Sequence, residues 1–229
     1  GHGPYSHALE SLLMEDWHHE KLSILLMKKL NDEFNGELDL AIEMFQGKYH
    51  RKFFNQLITS QLDVDRLDYL KRDSFFTGVS EGSVNTQRII SMMNVKDDEL
   101  LIDEKGVYSI ENFLTARMFM YWQVYYHKTS ALAEHLLVKI LSRAKQLISE
   151  GKQVEAYGNL KYFLYKTDFE KATEEDINRF TQLDDTDVLS AIKTWQNADD
   201  FVLSYFCRAV VQRKFPKTVF SSHPFDQKI

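Results

Sequence analysis

Residues 110–149 read IENFLTARMFMYWQVYYHKTSALAEHLLVKILSRAKQLIS and contain neither proline nor glycine. Apolar side chains recur through the stretch at helical spacing: Phe113, Phe119, Tyr121, Trp122, Val124, Tyr125, Leu132, Leu136, Leu137, Ile140, Leu141, Leu147 and Ile148. This pattern predicts one long helix that crosses a whole domain and stops at Gly151. The flanking sequence is also sparsely punctuated. The three prolines are Pro4, Pro216 and Pro224, so nothing between the first two forbids a helix on proline grounds. Helices are expected over 5–15, 19–34 (stopped by Asn35-Gly36), 37–46, 51–60 and 61–73. A further helix is expected over 83–93, with Ser83 as its N-cap, and others over 157–165, 174–182, 186–196 and 199–211. Thr173 and Asp176 have the spacing of a capping box, with Asp in place of Glu. Residues 94–108 break the helical period. They read as a small hairpin, with Leu100–Ile102 and Gly106–Tyr108 as strands around Asp103-Glu104-Lys105. The expected fold is all-α: a helical bundle with one long central helix and one small β-hairpin.

Composition narrows the function classes. The 229 residues are 44% hydrophobic with a formal charge of −6, so the chain has material for a packed core and is not disordered. No apolar run is long enough to span a membrane, and the opening GHGPYSH is not a signal peptide. Cys207 is the single cysteine, which excludes a disulfide framework and a cysteine-based zinc site and fits a reducing, cytoplasmic setting. The acidic balance argues against non-specific nucleic-acid binding while leaving room for a local basic pocket.

Three constellations carry chemistry. His2, His7, His18 and His19 fall within the first nineteen residues. They are either solvated or tag-derived histidines, or imidazoles set in a turn with Gly3 and Pro4 where a phosphate could sit. In 61–73, QLDVDRLDYLKRD, Asp65, Tyr69 and Asp73 are spaced i, i+4, i+8 and share one helix face. That face is either solvated or supplies a hard-cation ligand beside a cation and a phenol. Arg117, Tyr121, Tyr125 and Lys128 line one side of the 110–149 stretch. They are either packing with snorkelling basic chains, or the wall of a phosphate- and sugar-binding groove.

Four segments together resemble parts of the HD-domain phosphohydrolases: Gly-His-Gly-Pro-Tyr-Ser-His at 1–7, Trp17-His18-His19-Glu20, the run from Gln61 through Asp73 to Gly78, and the run from Phe113 to Lys128. The branch they are most similar to holds the bacterial dGTPase-like enzymes and the sterile-alpha-motif HD-domain dNTPase. The resemblance covers most of residues 1–150, and 151–229 looks like the helical C-terminal region packed on that domain. It implies that Asp65 is the last metal-binding aspartate, that Arg66 and Arg117 touch phosphate, and that Tyr69 and Asp73 lie near the triphosphate and sugar. It further implies that Tyr125 packs on the deoxyribose, that His2 and His7 are active-site histidines, and that His19 transfers a proton to the leaving group. Tyr121 stands where relatives can have His. Lys128, at the end of the same run, would add positive charge for the phosphate. The implied cofactor is a divalent metal ion (Mg, Mn, Fe, Ni or Zn) and the implied substrate a deoxynucleotide, with a homo-oligomer as the expected assembly. The family's His-Asp pair would precede Gly1, so the chain reads as an N-terminally truncated HD bundle that binds metal weakly by itself. The alternatives are a non-catalytic nucleotide-binding or oligomerisation module, or an HD hydrolase of another phosphoester.

Overall fold

The computed structural model describes residues 2–5, 18–167 and 173–219. The helix expected over 5–15 therefore falls, apart from Tyr5, outside the described residues. In chain order the elements are α1 (His19–Glu33), α2 (Asp39–Phe45), α3 (Lys52–Gln56), α4 (Val64–Thr77), α5 (Thr86–Ser91), β1 (Met93–Lys96) and β2 (Glu99–Ile102). These are followed by α6 (Val107–Met120), a π-helical turn (Tyr121–Tyr125), α7 (Lys128–Ser149), α8 (Gly158–Tyr165), α9 (Glu174–Phe180), α10 (Asp185–Trp195) and α11 (Phe201–Val211). The fold is all-α with one two-stranded antiparallel hairpin. Among the described residues no helix is long and apolar enough to cross a membrane.

Two compact units emerge, one made of Met27–His127 and the other of Gly1–Leu26 with Lys128–Ile229. They do not coincide with the division anticipated at residue 150. The 110–149 stretch is two helices, with the π-helical turn and a break at Tyr126-His127 between them. Tyr126 N–H donates to the Tyr121 carbonyl at 2.7 Å, an i→i+5 bond that admits one extra residue into the turn. Apolar side chains run on every side of 119–126, so their spacing does not reveal the inserted residue.

In the Met27–His127 unit the core joins Leu67 and Leu70 of α4, Ile89 of α5, and Phe113, Ala116 and Met120 of α6. Asp63 caps α4 by accepting the Arg66 N–H at 2.8 Å, and Gly78 closes it in the left-handed conformation at φ 73°. Phe75 and Phe76, expected just beyond this helix, lie within its last turn. Asn85, rather than Ser83, caps α5, because its side chain accepts the Arg88 N–H at 3.0 Å. The hairpin also differs from expectation. Its turn is Asp97-Asp98, both left-handed (φ 53° and 63°), which suits a two-residue loop between strands of right-handed twist. Gly106 instead lies in a short 3-10 turn, where a Cβ would meet Ile102 Cγ2 at 2.8 Å. The Gln56 side-chain carbonyl accepts the Leu100 N–H at 2.7 Å, and Asp98 accepts the Lys52 N–H at 2.8 Å, docking the hairpin on α3.

Gly82 sits where a Cβ would come within 2.4 Å of Met120 Sδ and 3.1 Å of Ser74 Cβ. Gly82→Ala is therefore expected to destabilise the protein by about 1–3 kcal/mol through overpacking. A urea unfolding curve with an unchanged midpoint would contradict this.

In the other unit, α7 turns Leu137, Ile140, Leu141, Ala144 and Leu147 into a core shared with Leu160 and Phe163 of α8, Ile192 and Trp195 of α10, and Leu203 and Cys207 of α11. Arg143 grips Asp200 with two hydrogen bonds of 3.1 and 2.6 Å, and Asp200 also caps α11. The expected capping box of Thr173 and Asp176 is present at the start of α9.

Candidate functional site

α4 begins with a buried aspartate and ends at a glycine, so its exposed and half-buried positions form a continuous ledge. Asp65 lies in its first turn and is exposed; Tyr69 and Asp73 follow one and two turns later and are half-buried. α6 runs beside α4 in the same core and brings Arg117 to this ledge. The Tyr69 phenol feels the charge of Arg117 from α6 and of Arg66 and Asp65 from its own helix, and the phenol of Tyr121 from the π-helical turn.

The aromatic rings form a connected set. Tyr69 meets Tyr125 edge-on at 6.2 Å between centroids, and Tyr125 meets Tyr121 edge-on at 5.2 Å. The π-helical turn supplies both Tyr121 and Tyr125. The Tyr125 hydroxyl donates to Asp73 Oδ2 at 2.6 Å. Burial, followed by this bond to a carboxylate, pushes the Tyr125 phenol well above its ordinary pKa, so it stays a neutral donor fixed in orientation. Burial also raises Tyr69, with Tyr121 adding to the effect and Arg117 opposing it. Tyr69 therefore remains a hydroxyl that can donate to an anionic oxygen.

The two arginines differ in their commitments. Arg66 is half-buried and paired with Asp63 beneath it, its NH1 donating also to the Ser60 carbonyl at 2.6 Å. Its Nε is buried without a partner. Arg117 donates from NH1 to Gln61 Oε1 at 3.2 Å and lies 5.6 Å above the Tyr121 ring. No carboxylate pairs with it among the described residues, which leaves the guanidinium charge for an external anion. The sequence reading did not single out Asp63 or Gln61. An aspartate three residues ahead of an arginine at a helix start is the signal for the first, whereas the second contact spans 56 positions and leaves no local trace.

The remaining candidates belong to the other unit. His2 and His19 bring their rings together with centroids 4.2 Å apart. The segment that follows His2 is held in place: a Cβ on Gly3 would come within 2.8 Å of the Phe180 ring, Pro4 is buried, and the Tyr5 N–H donates to Asp185 Oδ1 at 3.0 Å. Lys128 opens α7 and is exposed. His7 lies outside the described residues. No group of three or more His, Cys, Asp or Glu side chains that could hold a metal ion occurs among the described residues. Asp65 alone is a poor site for a transition metal, so these residues do not by themselves fit the implied cofactor.

An all-helical frame that lines one ledge with a guanidinium, phenols and carboxylates has the donor set of a protein that handles phosphate esters. A family model described as the HD-associated region matches residues 84–163, which include Arg117, Tyr121, Tyr125 and Lys128. The crystal structure of a phosphohydrolase from Bacteroides thetaiotaomicron superposes with a TM-score of 0.94 at 47% identity, over 99% of this chain and 57% of that one. The uncharacterized protein YwfO of Bacillus subtilis is 34% identical over 93% of this chain and 49% of its own length. A protein of Dictyostelium discoideum named deoxynucleoside triphosphate triphosphohydrolase SAMHD1 homolog is 28% identical over 68% of this chain and 33% of its own. The chain spans about half the length of the first two relatives. It belongs to the HD-domain phosphohydrolase family, and residues 84–163 are its HD-associated region.

Proposed function

We propose that the intact protein hydrolyses deoxynucleoside triphosphates to a deoxynucleoside and inorganic triphosphate, with this chain supplying the cradle for polyphosphate and sugar. The observation that carries this reading is the run of contacts between the two helices: Tyr69 of α4 meets Tyr125, Tyr125 meets Tyr121, and the Arg117 guanidinium of α6 lies over the Tyr121 ring, with Asp65 one turn ahead of Tyr69. The resemblance to a named triphosphohydrolase supports the choice of substrate.

In this reading water adds to the α-phosphorus, the bond from that phosphorus to the sugar O5′ breaks, and O5′ takes up a proton as triphosphate departs. The Arg117 guanidinium and the Tyr69 hydroxyl hold phosphate oxygens, where charge-assisted hydrogen bonds are strongest. The remaining donors of Arg66 add positive charge, a part the resemblance also gives to Lys128. The Tyr125 ring, fixed by Asp73, packs on the deoxyribose. The resemblance gives His19, whose ring lies beside that of His2, the transfer of a proton to O5′. A divalent metal ion supplies electrophilic activation in the family. Asp65 is the carboxylate assigned to it by resemblance.

Incubating the intact protein with dGTP and separating the products by anion exchange tests the proposal. Equimolar deoxyguanosine and inorganic triphosphate are expected. Release of orthophosphate or pyrophosphate instead, or tight dGTP binding without turnover, would overturn it.

A further inference from the structure

Two arginines serve the candidate site, and one short turn supplies an acceptor to each. Ser60–Asp63 leads into α4. The Ser60 carbonyl and the Asp63 carboxylate hold the Arg66 guanidinium, whereas Gln61 Oε1 accepts from Arg117 Nη1 of α6 at 3.2 Å. The backbone on either side of Gln61 is tied down. The Ser60 N–H donates to Asp63 Oδ2 at 3.3 Å, the Leu62 N–H to Ser60 Oγ at 3.2 Å, and the Val64 N–H to the Leu57 carbonyl at 2.9 Å. Leu62 packs against the core of this unit, and Asp63 is buried. Gln61 therefore reaches Arg117 from a fixed point.

The two acceptors differ in charge. The Asp63 carboxylate offsets the charge of Arg66. An amide carbonyl orients a guanidinium and leaves its positive charge intact. Arg117 makes no other hydrogen bond and no ion pair among the described residues. With Nη1 committed to Gln61, the Nε–Nη2 edge stays whole for two parallel bonds to a phosphate. The Tyr121 ring, 5.6 Å from the guanidinium carbon, limits its tilt. We propose that Gln61 is a positioning residue: it aims the Arg117 guanidinium at the phosphate of the substrate without neutralising it. The proposal rests on the assignment of Arg117 to phosphate made above.

Calorimetric titration of the intact protein with inorganic triphosphate tests this in a double-mutant cycle. Gln61→Ala is expected to weaken triphosphate binding about tenfold, the size of a weak hydrogen bond to a charged group. In an Arg117→Ala background the same change should cost less than about twofold, because the residue it acts through is gone. Gln61→Glu keeps the length and the acceptor and adds a charge, so it should weaken binding at least as much as Gln61→Ala. A turn that needed only an acceptor would instead tolerate the carboxylate. Wild-type affinity in Gln61→Ala or in Gln61→Glu would overturn the proposal. So would equal losses from Gln61→Ala in both backgrounds, which would place Gln61 on the ligand itself or in the turn alone, and so would a wild type that binds no triphosphate. The titration needs no turnover. Failure to hydrolyse dGTP therefore sinks the proposed reaction and leaves the role of Gln61 standing, whereas dGTP hydrolysis with an affinity indifferent to Gln61 does the reverse.

Discussion

Arg117→Ala is expected to lower kcat/KM of the intact protein for a deoxynucleoside triphosphate, the proposed substrate, roughly a hundredfold, the usual effect of deleting one charge-stabilising donor. Stability should change by no more than about 0.5 kcal/mol, as for surface substitutions that break no buried network. Both halves of the expectation come from the contacts of the guanidinium. Gln61 Oε1 at 3.2 Å and the Tyr121 ring at 5.6 Å hold it in place without neutralising it. Arg117→Lys should recover only part of the loss, because an ammonium cannot present two parallel donors to a phosphate. Steady-state rates with dGTP and urea unfolding of the same preparations check the result. Unchanged kcat/KM in Arg117→Ala would remove Arg117 from the phosphate cradle.

Asp176→Ala is expected to destabilise the protein by about 1–3 kcal/mol, the cost of leaving buried hydrogen-bond donors unsatisfied and of losing a helix cap. The Asp176 side chain is 1% exposed and accepts the Thr173 N–H at 2.8 Å, the Thr173 hydroxyl at 2.6 Å, the Tyr162 hydroxyl at 2.8 Å and the Lys166 ammonium. Removing it strips the capping box from α9 and leaves the Thr173 and Tyr162 hydroxyls without their acceptor. Burial favours the neutral acid, but the bonds from Lys166, Thr173 and Tyr162 outweigh it and hold the carboxyl down at about 2. Because the folded protein binds this proton less readily than the unfolded chain, the stabilisation is complete above the ordinary aspartate range. It is lost as pH falls from about 4 to about 2. Asp200, held down to about 2 by Arg143, adds a second loss over the same window. Urea unfolding of wild type and Asp176→Ala at neutral pH and at pH 4, 3 and 2 should show the gap between them closing. A gap that stays constant would mean that Asp176 is not ionised in the folded state.

Much of the site was legible because it is written at helical spacing. Asp65, Tyr69 and Asp73 share a face by their separation of four, and Arg117, Tyr121 and Tyr125 repeat that separation from α6 into the π-helical turn. The helices of the C-terminal region follow the same logic, down to the capping box at Thr173. What was not legible depends on groups distant in sequence or on a single residue of register. The one-residue surplus at Tyr121–Tyr125 leaves hydrophobic periodicity almost untouched, so one long helix was read where two stand. The hairpin was read one turn too late because Asp103-Glu104-Lys105 looks as polar as Asp97-Asp98, and only the left-handed backbone tells them apart. Ser83 and Asn85 are both good caps on composition, and the choice lies in which oxygen reaches the Arg88 N–H. The commitment of Arg66 to Asp63 could be suspected from spacing, whereas the tie between Arg117 and Gln61 could not.

The π-helical turn also fixes where side chains aim. Its wider winding lets residues 121–125 fill the arc that fewer residues would fill in an α-helix, so Tyr125 stays in line with Arg117 while Trp122 looks the opposite way. Excising one residue there, for instance the exposed Gln123, would rewind the turn and swing Tyr125 about 100° from its bond to Asp73, the angular step of an α-helix. Ligand-side phenol and outward indole would lose their bearings in a single stroke. One surplus residue thus acts as a sighting notch shared by the two faces of the rod.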